Sequence, residues 1–187
     1  MNVNIIIPSH LYTILKEHLF QGNAEQGAFM FAAESSSAGK LNLKVDRIHL
    51  IPAEAWDVHS SYYLELNDNE KVKIMRMAKD LDRHPIECHS HRHSHGPAYF
   101  SSSDIRGLDE FVEYVRWKLP GKKYGALVWT ESSVHGQVWN DKKSGPVTVS
   151  RIQITRDWHS WNRIFSFCEK LYENIFKKLV CMFRGMA

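Results

Sequence analysis

The sequence lacks the features that place a chain in a membrane or an oxidising compartment. It contains no run of about 18 apolar residues, the length that a membrane-spanning helix needs. Residues 1–8 have neither the basic segment nor the apolar length of a signal peptide. Cysteine is scarce: Cys88, Cys168 and Cys181 are an odd number without regular spacing, which does not predict a disulfide framework. We therefore expect a cytoplasmic protein without disulfides.

An excess of charge of one sign is also missing. The chain has 24 Lys and Arg residues against 21 Asp and Glu residues, a net charge of +3. This balance is too mild to predict binding to nucleic acid, and we expect no such partner. The chain has 187 residues, of which 43% are hydrophobic and 24% charged. These values are typical of one globular domain and exclude a disordered or collagen-like chain.

Strand-like and helix-like segments follow one another along most of the chain. Apolar and polar residues alternate over 41–51, as in a half-buried strand. Apolar residues recur every three or four positions after Ser9, after Asn67 or Asp68, and after residues 101–103, which predicts three helices that begin at these polar residues. The stretch 52–61 has neither pattern and predicts a loop. Together the segments predict an α/β fold with a mixed β-sheet flanked by helices.

The end of the chain differs from the rest in composition. The predicted α/β domain covers residues 1–157. In residues 158–187, Trp and Phe alternate with Lys and Arg at helical spacing, which predicts a separate C-terminal amphipathic helix. We expect its aromatic side chains to pack against protein, and contact with a membrane surface is the alternative.

Histidine is the unusually frequent residue type. The chain has 11, and four of them alternate with other residues from position 89 to position 95. Side chains two positions apart on a strand share one face, so a His-x-His pair can bind a single ion. A catalytic zinc site needs three protein ligands and an open position for water. Asp104 is the next carboxylate and can be the third ligand, with Ser101 one helical turn earlier beside the open position.

The arrangement resembles the JAMM (JAB1/MPN/Mov34) zinc metalloproteases, especially small prokaryotic proteins with a JAB domain. Their motif is a Glu near the start of the domain, then His-x-His, seven residues, Ser, two residues and Asp. Here His91 and His93 are followed at this spacing by Ser101 and Asp104. Glu25 precedes an apolar strand-like run, as the glutamate of that family does. The order of predicted elements agrees with the family over the whole predicted domain.

Two other histidine pairs compete with this choice of metal ligands. His89 and His91 continue the preceding strand most directly, but they leave two residues too many before Ser101. His93 and His95 leave two residues too few. We favour His91 and His93 on spacing, with His89 as the alternative ligand.

The resemblance implies an MPN (JAB) domain and a zinc-dependent hydrolase. It implies that His91, His93 and Asp104 bind Zn²⁺, that Glu25 acts as general base, and that Ser101 stabilises the oxyanion. The implied substrate is the peptide or isopeptide bond after the C-terminal Gly of ubiquitin or a ubiquitin-like protein, in deconjugation or precursor processing. Proteins of the E1-like and E2-like classes are implied as partners in the same pathway.

Other functions fit parts of the same pattern. Within the same chemistry, the chain is a candidate for processing a sulfur-carrier protein of the ThiS type. Without catalysis, it is a candidate MPN binding scaffold, although scaffold members of the family usually lose metal ligands. A histidine-rich metal buffer is a third class, and it would bind several ions loosely where an enzyme binds one zinc ion tightly.

Overall fold

The computed structural model describes residues 1–37, 39–92, 96–140 and 145–156. The first of the two units into which the chain divides, Met1–Thr155, contains every helix and strand in this part of the chain. The predicted C-terminal helix, residues 158–187, lies outside the described residues. The domain boundary at residue 157 therefore stays a prediction.

The described elements are nine strands, three helices and one short 3₁₀ helix. In chain order they are β1 (Asn2–Pro8), α1 (Ser9–Leu19), β2 (Gly27–Ser37), β3 (Lys40–Leu50), the 3₁₀ helix (Ala53–Ala55), β4 (Trp56–His59), β5 (Leu64–Leu66), α2 (Asp68–Leu81), β6 (His84–Ser90), α3 (Ser102–Lys118), β7 (Tyr124–Trp129), β8 (Val134–Trp139) and β9 (Val147–Thr155).

Seven of the strands form a closed mixed barrel in the order β1, β3, β2, β6, β7, β8, β9. The barrel closes at β1, where Ile5 pairs with Leu43 of β3 on one side and Ile152 of β9 on the other, both in parallel. The expected MPN-type mixed sheet flanked by helices is therefore wrong, although the chain does combine helices and strands as an α/β protein. Alternation along a strand predicts which face is buried, but it does not say which edges pair, and here the first and last strands meet.

The barrel strands carry apolar side chains on two faces. In β2, Ala28 and Met30 belong to one core with buried residues of β1, β3, β6, β7 and β8 and with α1. Phe29 and Phe31 alternate with them and pack in a second core with α2 and α3. Strands covered on both faces are expected to be continuously apolar, which explains the unbroken apolar run at the start of β2. The second core lies beneath the site described below.

Local capping signals fix the two helices of the second core. The Asn67 side chain accepts a hydrogen bond from the Glu70 amide at 2.9 Å and begins α2. Asp82 ends α2 in the left-handed conformation with φ of 55°. Helix α3 begins at Ser101 with a reciprocal capping box. Among the described residues, no helix is long and apolar enough to cross a membrane.

Gly136 of β8 leaves no room for a side chain, and its replacement is expected to destabilise the barrel. It pairs with Leu127, and a Cβ atom there would lie 2.2 Å from Cδ2 of that fully buried leucine. We expect Gly136→Ala to cost about 1–3 kcal/mol of unfolding free energy, measured by urea denaturation. The control is Gly107→Ala in α3, where a Cβ meets nothing within 4 Å and the change is expected to stabilise by up to about 1 kcal/mol. A Gly136→Ala protein as stable as its parent would contradict this packing.

Candidate metal site

Two histidines are presented side by side at the end of β6. His89 pairs with Gly27 on one side and Val128 on the other, which fixes its position in the barrel. The His91 amide donates to the Trp129 carbonyl at 2.8 Å and continues the strand-like hydrogen bonding past Ser90. Because alternate residues of an extended chain share a face, both imidazoles point to the same side. Their ring centroids are 5.0 Å apart.

Asp104 of α3 completes a compact group of three ligand atoms. His89 Nε2 lies 3.3 Å from His91 Nε2, and Asp104 Oδ2 lies 3.5 Å from the first and 3.2 Å from the second. The three atoms therefore form a nearly equilateral triangle, and this His-His-Asp group can hold a metal ion. Burial opposes ionisation of Asp104, but hydrogen bonds from His89 and His91 outweigh it and lower the pKa of the carboxyl group well below its ordinary value.

The N-terminus of α3 holds Asp104 in this orientation. The Ser101 amide donates to Asp104 Oδ2 at 2.7 Å, while Ser101 Oγ accepts from the Asp104 amide at 3.1 Å. The Ser101 hydroxyl also lies 2.8 Å from the hydroxyl of Ser103. Ser101 and Asp104 thus form the cap of α3, and the same interaction orients Asp104 as a metal ligand. A hydroxyl that accepts a cap hydrogen bond still has its own hydrogen to donate.

Glu25 lies beside the ligand group in the segment between α1 and β2. Its Oε1 is 4.0 Å from His91 Nε2, and the residue is 8% exposed. Burial raises the pKa of Glu25 to about 7, partly offset by the nearby histidines. The next residue anchors the segment to β6, since the Gln26 amide donates to Ser90 Oγ at 3.0 Å and the Ser90 amide donates to the Gln26 carbonyl at 3.1 Å.

A cleft of about 560 Å³ opens from this group between the β4–β5 hairpin and α3. Glu25, His89 and Asp104 are among the residues that line it. Its other lining residues include several aromatic and acidic ones: Trp56, Tyr63, Glu65, Glu87, Phe111 and Tyr114. Two of the three ligand residues therefore border a cleft large enough for several residues of an extended chain.

The structure brings most of the predicted site residues together. Glu25, His91, Ser101 and Asp104 lie close together, and His89, the alternative ligand, lies beside them. His93 lies outside the described residues, so the choice of His91 with His93 as the ligand pair stays a prediction. Within the described residues, the ligand group is formed with His89.

Two residues near the group were not predicted from the sequence. Glu87 Oε1 lies 3.9 Å from His89 Nδ1, and the other carboxylate oxygen of Glu87 accepts a hydrogen bond from Tyr124. Its position two residues before His89 on a strand is a signal that could have indicated a shared face. His59 Nε2 lies 2.9 Å from the Glu25 carbonyl oxygen. No local sequence pattern connects His59 with Glu25, because the two residues are 34 positions apart.

Removing the Ser101 hydroxyl is expected to weaken α3 as well as the site. Ser101→Ala deletes the acceptor for the Asp104 amide, and loss of such a cap costs about 1 kcal/mol. We expect a decrease of this size in the unfolding free energy of the metal-free protein, measured by urea denaturation. The matched control is Ser102→Ala, one residue into the helix, where the side chain is exposed and little change is expected. Equal stabilities for the two variants would contradict the capping role.

Comparison with known proteins does not supply a function. No family model matches the chain, and no curated protein matches it. Among solved structures, the solution structure of protein DSY2949 from Desulfitobacterium hafniense is similar, with 14% sequence identity and a TM-score of 0.49. The match covers 83% of this chain and 97% of that protein.

Proposed function

We propose that this protein is a zinc-dependent hydrolase that cleaves the amide bond after the C-terminal Gly of a ubiquitin-like protein. One observation carries the proposal: a buried carboxylate, Glu25, lies 4.0 Å from His91 beside a three-ligand group that borders a cleft. A group that only stores metal has no need of an unattached carboxylate at the ion. A hydrolase needs such a carboxylate as its general base.

The ligand geometry supports zinc. Tetrahedral zinc with bonds of about 2.0–2.1 Å to nitrogen and oxygen places its ligand atoms about 3.3–3.4 Å apart. The three distances in the His89, His91 and Asp104 group are 3.3, 3.5 and 3.2 Å. Three protein ligands leave a fourth position open, as in catalytic zinc sites. When bound, zinc would supply Lewis-acid chemistry and make a water molecule acidic enough to be a nucleophile near neutral pH.

Glu25 would carry the proton in this reaction. Its carboxylate accepts a proton from the attacking water, whose oxygen bonds to the carbonyl carbon of the substrate. The same carboxyl group then donates that proton to the leaving nitrogen as the C–N bond breaks. A carboxyl group whose pKa lies near 7 can both accept and donate a proton near neutral pH, and burial raises the pKa of Glu25 to about 7.

Ser101 would stabilise the negative charge that develops on the substrate carbonyl oxygen. Its backbone amide is already engaged with Asp104 Oδ2, which leaves the hydroxyl hydrogen as the group able to donate. A donor fixed at a helix N-terminus before the reaction requires little reorganisation. The two roles are compatible, because the cap uses the Ser101 hydroxyl oxygen as an acceptor and the oxyanion would accept the hydroxyl hydrogen.

The cleft supports an extended, narrow substrate tail. The strand β5 and Gly27 line the cleft, and β4 and β5 form a two-stranded sheet apart from the barrel. An extended peptide can add to such a strand edge by main-chain hydrogen bonds. The C-terminal tail of a ubiquitin-like protein has this form, and proteins of the E1-like and E2-like classes would supply its conjugates.

The test is cleavage by the purified, zinc-loaded protein of ubiquitin-like fusions and isopeptide conjugates that carry a C-terminal Gly-Gly. We expect cleavage after the last Gly, loss of cleavage with a chelator, and recovery with zinc. His91→Ala is the inactive control, because His91 belongs both to the pair that spacing favours, with His93, and to the group that the described residues form with His89. A ThiS-type precursor in the same assay separates sulfur-carrier processing from deconjugation. Zinc-loaded protein that cleaves none of these substrates would contradict the proposal.

A further inference from the structure

The β4–β5 hairpin holds the main chain of Glu25 from both sides. The Glu25 amide donates to the Ser60 carbonyl at 3.1 Å. The Glu25 carbonyl oxygen lies 2.9 Å from His59 Nε2. A carbonyl oxygen can only accept, so Nε2 carries the hydrogen and donates it. The main chain of Glu25 is therefore fixed by two hydrogen bonds with the β4–β5 hairpin, one to its last β4 residue and one to the connection that follows it.

The His59 ring is itself held in place. It stacks on the Trp56 indole, with ring centroids 5.7 Å apart and an angle of 29° between the planes. The indole packs directly over Gly27, where a Cβ atom would lie 2.7 Å from the ring. A side chain on Gly27 would displace the indole, so the small residue and the two rings form one packed unit beside Glu25.

We infer that His59 is a positioning residue for Glu25, an inference that rests on the proposed function for its catalytic consequence. By donating to the Glu25 carbonyl, His59 fixes the peptide from which the carboxylate reaches toward the ligand group. His59 does not contact the metal ligands in the described residues, and its effect on the reaction passes through Glu25. Small displacements of a catalytic group cause large losses of rate.

Two substitutions separate the hydrogen bond from the packing. His59→Phe keeps a flat ring that can stack on Trp56 but has no N–H to donate. His59→Gln gives up the ring but supplies an amide N–H at a similar reach along the side chain. Val58→Ala is the control on the same strand, since Val58 is 38% exposed.

Hydrogen exchange of the Glu25 amide and steady-state kinetics are measured on the whole zinc-loaded chain. In His59→Phe we expect amide protection and kcat each to fall about tenfold, with KM within about twofold and zinc content unchanged. In His59→Gln the amide protection and kcat are expected to lie within about threefold of the parent. Val58→Ala is expected to match the parent in both quantities. The Thr130 amide, bonded to the Ser133 carbonyl at 2.9 Å in the turn between β7 and β8, serves as a control of protection outside the β4–β5 hairpin.

Unchanged Glu25 protection in His59→Phe would overturn the inference, as would failure of Gln to restore it. Equal loss of protection at Thr130 would show general destabilisation and would also overturn a positioning role. The exchange measurement decides the inference even if the parent cleaves no substrate. Absence of cleavage by the parent would instead contradict the proposed function.

Discussion

Replacing Glu25 with Gln is expected to slow amide cleavage by at least about a hundredfold while the zinc ion stays bound. The amide keeps the size and shape of the side chain, but it cannot accept a proton from the attacking water. The three ligand atoms belong to other residues, so zinc content should not change. The substrate tail should also bind normally, because the cleft walls are unaltered.

Single-turnover cleavage and zinc analysis of the same preparation check this prediction. Glu17→Gln is the matched control, since Glu17 is an exposed carboxylate on α1 that does not line the cleft. We expect Glu17→Gln to cleave at nearly the parental rate. Parental turnover by Glu25→Gln would exclude the general-base role. Loss of zinc from Glu25→Gln would mean that Glu25 is a ligand.

His89→Ala is expected to lower zinc affinity by at least about a hundredfold, whereas His93→Ala is expected to leave it nearly unchanged. Even substitutions of residues that only orient metal ligands cost about 10–100-fold in affinity, and loss of a ligand should cost at least as much. His89 Nε2 lies within 3.5 Å of the other two ligand atoms. This expectation follows the structure and differs from the ligand pair that spacing favours in the sequence.

Competition with a chromophoric chelator measures both affinities under the same conditions. Asp104→Asn provides the reference for loss of a ligand that belongs to every choice of histidine pair. If His93→Ala behaves like Asp104→Asn and His89→Ala behaves like the parent, the ligand pair is His91 and His93. The spacing argument would then be correct and the His89 assignment would be wrong.

The chemistry of the site is easier to predict from the sequence than the choice of histidines. The helix signal at Ser101 and the strand before the histidine run place Ser101, Asp104 and His91 near one another through short-range patterns. The number of residues between a strand and a helix is a weaker constraint. Doubling the length of a loop costs only about 0.6 kcal/mol, so two extra residues before Ser101 are easily accommodated. The pairing register of β6 is a stronger constraint, because it fixes His89 opposite Gly27 of β2.

Barrel closure could not be predicted from the sequence. The alternation in β1 identifies a half-buried strand, and β1 is found at Asn2–Pro8. Its partners, β3 and β9, lie about 40 and about 147 residues further along the chain. Hydrophobic alternation contains no information on such distant edge pairing. A mixed sheet flanked by helices and a closed barrel therefore give the same local pattern.

The pairing of β4 with β5 could not be predicted for a different reason. The alternation over residues 62–66 predicts a strand, and β5 is found at Leu64–Leu66, but the four residues of β4, Trp56–His59, are too few to show a clear period. The segment 52–61 therefore predicts a loop, although it contains the 3₁₀ helix and β4. Its packing on Glu25 and Gly27 depends on contacts across the fold. For this reason His59 was not among the predicted site residues.

The number of zinc ions that the chain binds tests the central claim most directly. We propose one mononuclear site built from His89, His91 and Asp104, not a histidine tract that collects ions. Titration of the metal-free protein with zinc against a chelator of known affinity is expected to show one tightly bound ion per chain, lost in His91→Ala. Several weakly bound ions per chain, reduced only stepwise as histidines between positions 89 and 95 are replaced, would contradict the claim.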